Sequence, residues 1–380
     1  MGFRTAIVLS LAFLAVDGAR LAQLGGPRHG VDTQRFITGS DHFTAGTSYQ
    51  AKEGTYRGYI WLLTLSRRVF GQPEGILVLQ WVCGLLSSLL ICRLILERTN
   101  WPCAVIGTAF FITFPDISQW NNYVLTDSLY ISAVAATLFA THRVLRAPTV
   151  TRFAALAAAL LFGGLLRPSG WLVIAATVPF LWFELQGISR RSVLIALVVV
   201  AGGITVFVGT STFRRSFYGE HPDGGLAAGF VIDGYRAADH HMPSPSFTMD
   251  GTLTSVARYV WEAPGATAGL VGARLVRGVA HVRPYYSWPH NLIIAVMLWP
   301  LNLLALAALP AIARDGFSRY LWLMCASHLL LIAVVLIDWD GRFYIHTLPA
   351  VLVLAMDGLH RLIDKSSGSP YNHARTEAVI

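Results

Sequence analysis

About ten stretches of this chain are apolar enough to cross a bilayer, and that fixes the class of fold before any motif is read. In order they are residues 5–24, 75–96, 101–114, 124–139, 153–166, 168–185, 193–211, 292–313, 320–337 and 344–363. A helix satisfies its backbone hydrogen bonds internally, so runs of this kind enter lipid as helices. Composition agrees: 54% of residues are hydrophobic and only 13% charged, outside the range of soluble globular chains. The net charge of +8 is therefore read as membrane topology, with no call for nucleic acid. Cys83, Cys92, Cys103 and Cys325 all lie in or beside apolar runs, which suits small core residues and no disulfide framework.

The first run follows Arg4 and continues past Asp17 and Arg20, with no small-x-small site after it. A retained first helix is expected rather than a cleaved signal peptide. Asp17 and Arg20, three apart, share a helix face and are expected to pair or to snorkel. Alternate short loops carry Arg93 and Arg98, then Arg143, Arg146 and Arg152, then Arg190 and Arg191, then Arg314 and Arg319. The positive-inside rule places these loops and both termini in the cytoplasm. Asp41, Asp116, Asp127, Arg167, Asp338, Asp340 and Arg342 then converge on one extracytoplasmic surface. Chemistry at that surface is the expectation, rather than the midplane polar sites of a transporter.

The first loop on that side, within residues 25–74, opens as a polar loop carrying Asp41. It continues as RGYIWLLTLSRRVFG, whose apolar positions alternate with Arg57, Thr64, Arg67 and Arg68. Such a pattern predicts a short helix lying in the interface, its cations toward headgroups. An acid beside a basic interfacial helix suits a lipid-linked, phosphate-bearing substrate; a plain solvated loop is the competing reading. The chain divides into a module at 1–212, a loop or lid at 213–290, closing helices at 291–365 and a cytoplasmic tail at 366–380.

Three other clusters are weighed. Asp338-Trp339-Asp340 has the D-x-D form of nucleotide-sugar sites, but no βαβ pattern stands behind it, and a solvated turn pairing Arg342 is favoured. His240 and His241, with His221 and Asp239, match no zinc spacing and read as polar loop. His281, Arg283, Tyr285, Tyr286, Trp288 and His290 read either as an interfacial belt or as a platform for a sugar face.

The order of motifs then carries a resemblance. An extracytoplasmic Asp after the first helix is followed by RGYIWLLTLSRRVFG, FPDISQWNNYVLTDSLYISAVAATLF, GGLLRPSGWLV and, late, GRFYIHTLPAVLVLAMDGL. The set resembles the integral-membrane glycosyltransferases of the GT-C class, in the branch of protein O-mannosyltransferases and the lipid A aminoarabinose transferase. The resemblance implies an all-α polytopic membrane protein of about ten transmembrane helices. It also implies an extracytoplasmic active site in a bacterial inner membrane, and transfer of a sugar from a polyprenyl-phosphate donor to a lipid, glycan or protein acceptor. A transporter, a flippase or a non-catalytic envelope partner is the alternative.

By that resemblance Asp41 takes the position of the catalytic first-loop acid, the base that removes the acceptor's proton. Single displacement, with inversion, then asks for positive charge on the departing phosphate. Arg57, Arg167 and Arg342 are the candidates, since a guanidinium grips phosphate through two parallel hydrogen bonds. Each has lipid anchoring as its plainer reading. The second acid is Asp116, sharing a divalent cation (Mg or Mn) with Asp41, or Asp127, whose plainer role is a helix N-terminal charge. Asp32 and Glu53, in the same loop as Asp41, are expected to serve as silent charge controls. The loop departs from the family in having Asp41-His42-Phe43 and Tyr59 after Gly58, which leaves the acceptor open.

Overall fold

The computed structural model describes residues 3–49, 53–185, 226–248, 253–313, 315–334, 337 and 340–366. Its helices are α1 (Phe3–Gln23), α2 (Thr33–Ala45), α3 (Arg57–Phe70), α4 (Ile76–Arg98), α5 (Trp101–Thr113), α6 (Pro115–Ser118), α7 (Asp127–Arg146), α8 (Val150–Leu166) and α9 (Gly170–Glu184). After them come α10 (Leu253–Glu262), α11 (Pro264–Ala280), α12 (Trp288–Ala307), α13 (Gly316–Val334), α14 (Arg342–Ile345) and α15 (Leu348–Ser366). The only β pairing among the described residues is two isolated bridges, Arg28 with Tyr123 and Ile232 with Ile337.

The chain is an all-α, multi-pass membrane protein. Among the described residues, five helices are long and apolar enough to cross a bilayer: Arg4–Gln23, Pro73–Arg98, Asp127–Arg146, Trp288–Ala311 and Gly316–Val334. A sixth is the bent pair Trp101–Thr113 and Pro115–Asn122, and Val150–Leu166 and Gly170–Glu184 are shorter apolar helices. With α15 these account for nine of the ten expected segments. The tenth, 193–211, lies outside the described residues, as do Asp338, residues 213–225 and the tail beyond 366.

Local signals set the helix ends. Asn100 accepts the Cys103 amide and Thr149 the Arg152 amide, capping α5 and α8. The break after α5 comes from Pro115, which lacks an N–H and pushes Phe114 into extended backbone (φ −62, ψ 121). The chain bends there by 58°. α7 is the buried axis, packed against α4 and α8, while α15 packs on α12. Twenty residues of helix give α7 a length of about 30 Å, so its two ends mark two separate poles.

The pole at the end of α7 is ionic and belongs to the arginine-rich loops. Arg98 donates to Asp357 and Asp315, and Glu97 gathers Arg93, Arg143 and Arg146. The first segment covers the other pole. Its expected polar loop is instead α2 packed on α3: Thr33, Phe36, Gly39 and Ser40 are buried at helical spacing, and that stripe outweighs the low hydrophobicity around it. Asp41 therefore sits on a helix. α3 buries Tyr59, Ile60 and Leu63 and turns Trp61, Leu65, Val69 and Phe70 outward, as an interfacial helix would. It reaches α8 because Gly58 has no side chain: a Cβ there would lie 2.7 Å from the Cβ of Leu165.

Candidate active site

The start of α7 gathers side chains from four distant parts of the chain. Asp127 is fully buried. Its Oδ1 accepts from Arg167 Nη1, in a short contact, and from His346 Nε2 at 3.1 Å. Its Oδ2 faces Arg342 Nη1 at 3.6 Å. The N-cap residue Thr126 makes no side-chain capping bond, so Asp127 serves as the centre of an ion cluster rather than as a cap. Arg167 ends α8 in extended backbone ahead of the Pro168 turn, which aims its guanidinium back at Asp127 and at Thr126 Oγ1, 3.2 Å away.

Arg342 joins this cluster to the first segment. Its Nη1 lies 3.3 Å from Asp32 Oδ2, and the other oxygen of Asp32 accepts from Arg35 at 2.7 Å. The Tyr56 hydroxyl records the same neighbourhood. Burial raises its pKa, with Arg167, Asp32, Arg342 and Arg35 contributing through charge. His346 is fully buried against Asp127 and the Tyr130 ring. The arginines differ in access, with 16% of the Arg342 side chain exposed and 6% of Arg167.

The other expected residues lie apart. Asp41 is largely exposed and accepts from Arg67 at 2.7 Å, clipping α2 to α3. It is nine residues beyond Asp32, about 13 Å along the helix. Arg57 opens α3 with its guanidinium carbon 5.7 Å from the centre of the Tyr49 ring. Asp116, buried just past the bend, accepts from His281 Nε2 at 3.1 Å and His290 Nε2 at 2.9 Å.

Residues 58–212 match the family described as dolichyl-phosphate-mannose-protein mannosyltransferase. Over those residues, less than half of the chain, it is similar to a GT-C glycosyltransferase module. No curated protein matches it. Among solved structures it is similar to ArnT from Cupriavidus metallidurans bound to undecaprenyl phosphate. That likeness has 14% identity and a TM-score of 0.40, over 96% of this chain and 80% of the other, and is too distant to assign anything by itself.

Several sequence expectations need correction. Asp32 and Glu53 are not interchangeable surface acids. Asp32 belongs to the ion cluster, and Glu53 is buried with its carboxylate 2.9 Å from His42 Nδ1. Arg342 pairs with Asp32 and Asp127, not with a D-x-D turn alone. Asp17 accepts from Asn121 while Arg20 donates to the carbonyl of Thr113, left without a helical partner near the bend. His346 lies inside GRFYIHTLP, where no local pattern singles it out.

A small hard cation needs several open oxygen ligands. Both oxygens of Asp116 already face imidazole nitrogens, those of Asp127 face arginines and His346, and Asp41 shares no described partner with either. Among the described residues no three His, Cys, Asp or Glu side chains are grouped to hold a metal ion. The arrangement does not fit a cation shared by Asp41 and Asp116.

Proposed function

We propose that this glycosyltransferase takes a sugar from a polyprenyl-phosphate carrier and passes it, with inversion, to an acceptor on the extracytoplasmic side of a bacterial inner membrane. The observation that carries the reading is the bridge from Arg342 to both Asp32 and Asp127, with Arg167 behind it. In this reading Arg342 is the clamp, reaching the leaving phosphate with its forked donors. Arg167, Asp127 and His346 fix its position from behind. Asp32 is the base, since it is the carboxylate of the first segment beside that clamp. It takes the acceptor's proton as the acceptor oxygen bonds to the anomeric carbon and the carbon–oxygen bond to phosphate breaks. Asp41 is the competing base, and Arg57 a further cation at the rim.

Transfer by the purified protein from a polyprenyl-phosphate sugar is the test. Asp32→Asn should lower kcat by about two to four orders of magnitude, with Asp41→Asn close to wild type. The reverse result moves the base to Asp41, and wild-type rates in both variants defeat the carboxylate mechanism. Activity abolished by EDTA and restored by Mg2+ or Mn2+ would bring a cation into the step.

A further inference from the structure

The segment joining α11 to α12 holds a second cluster, and its contacts lead back to Arg342. His281 is the one described non-glycine residue with positive φ, at 59°. That conformation is uncommon for a residue with a side chain and persists where the surroundings impose it. Its ring is fully buried, with Nε2 on Asp116. The Cε1–Nδ1 edge of the ring lies against Gly341, where a Cβ would clash with Cε1 and come within 2.6 Å of Nδ1. Gly341 has φ 67° and is the residue before Arg342. The other oxygen of Asp116 holds His290, whose ring stacks on Tyr286 at 4.3 Å and 3°.

We propose that Asp116 is a positioning residue for the phosphate clamp: with His281 and His290 it forms a clasp that sets the Gly341 backbone and so aims Arg342. The proposal rests on the reading of Arg342 given above. Two imidazole N–H groups converge on one buried carboxylate; Gln119 Nε2 also reaches Oδ1, at 3.4 Å, while Oδ2 is held by His281, so the His281 ring cannot turn without leaving an oxygen unpaired. Such a loss is costly in a buried site. The His281 ring therefore forms a fixed wall, and Gly341, the only residue type that fits between that wall and its own left-handed backbone, takes its position from it. A shift of the wall by an ångström moves the guanidinium by at least as much, and misplacement on that scale costs about a hundredfold in rate.

A double-mutant cycle tests this. Asp116→Asn alone should lower kcat/KM for the donor by about tenfold to a hundredfold, the usual cost of losing an outer orienting partner. In the Arg342→Lys background, where the fork is already lost, the same change should cost less than about threefold. Independent effects that multiply, or an Asp116→Asn variant within about threefold of wild type, would overturn the clasp. His281→Asn is the second route in, since Asn accepts positive φ but is too short to bridge Asp116 and Gly341; it should show the same coupling. Titrating the four proteins in nanodiscs with undecaprenyl phosphate reads the cycle without turnover. An inactive wild type therefore defeats the functional reading, while additive binding effects defeat the clasp.

Discussion

Replacing Asp127 by alanine removes the one carboxylate that Arg167, Arg342 and His346 share. The consequences for the two arginines differ. Arg342 keeps Asp32 at 3.3 Å, so its charge remains compensated. Among the described residues Arg167 keeps the hydroxyl of Thr126 and the face of Tyr130, whose ring centre is 5.9 Å away. With 5% of its surface exposed, it is a stranded buried cation. Removing one partner of a buried pair costs about 3–5 kcal/mol, roughly two to three and a half decades in the folded-to-unfolded ratio. Unfolding in mixed micelles titrated with SDS would measure it. Asp127→Ala combined with Arg167→Met should recover part of the loss, because the double variant no longer buries a lone charge. A single-variant loss below about 1 kcal/mol, or a double variant less stable than Asp127→Ala, would show that the pair is solvated and that this account of the pole is wrong.

The two acids read from sequence as neighbours should separate in stability: Glu53→Ala, which leaves His42 facing a buried void, costs about 1–3 kcal/mol, whereas Asp41→Ala breaks an exposed pair and costs less than about 1 kcal/mol. Equal thermal shifts would contradict that contrast. His281 is held below the ordinary value of 6.5 by burial, so below that pH the unfolded chain takes up a proton that the fold resists. Stability is then full above about pH 6.5 and falls as the pH drops beneath it. A flat melting midpoint between pH 7.5 and 5 in detergent would count against a buried neutral imidazole, and His281→Asn should reduce the slope. Ser244, exposed in the segment between α9 and α10, should as Ser244→Cys react with a membrane-impermeant maleimide in intact cells. Labelling only after permeabilisation would reverse the proposed sidedness.

Hydropathy made the helices legible because lipid leaves a buried backbone few choices, and nine of the ten expected segments have helical counterparts. Arg167 and Arg342 stood out because a cation beside an apolar run is conspicuous in such a chain. α2 was missed because only four of its residues are buried, and its polar majority reads as loop. Its spacing of Thr33, Phe36 and Ser40 was the available signal. Asp32 could not be told from Asp41 locally: what distinguishes them is Arg342, whose bond to Asp32 closes across 310 positions. His281 was visible only as one member of an aromatic patch, since its link to Asp116 spans 165 positions.

That long closure has a consequence for how the protein is made. Once the chain has emerged from the ribosome through the end of α9, Asp32, Asp127 and Arg167 are all at the membrane, the last two able to pair. Arg342 and His346 leave the exit tunnel more than 150 residues later. Until then the nascent chain holds a carboxylate and a cation that neutralise one another, with no clamp to grip a phosphate. The pole is assembled last, when α14 and α15 enter between helices inserted long before. A chain cut short anywhere ahead of Gly341 should therefore be inert toward the carrier lipid rather than weakly active, and the cell is spared a half-built transferase working on its lipid pool during translation.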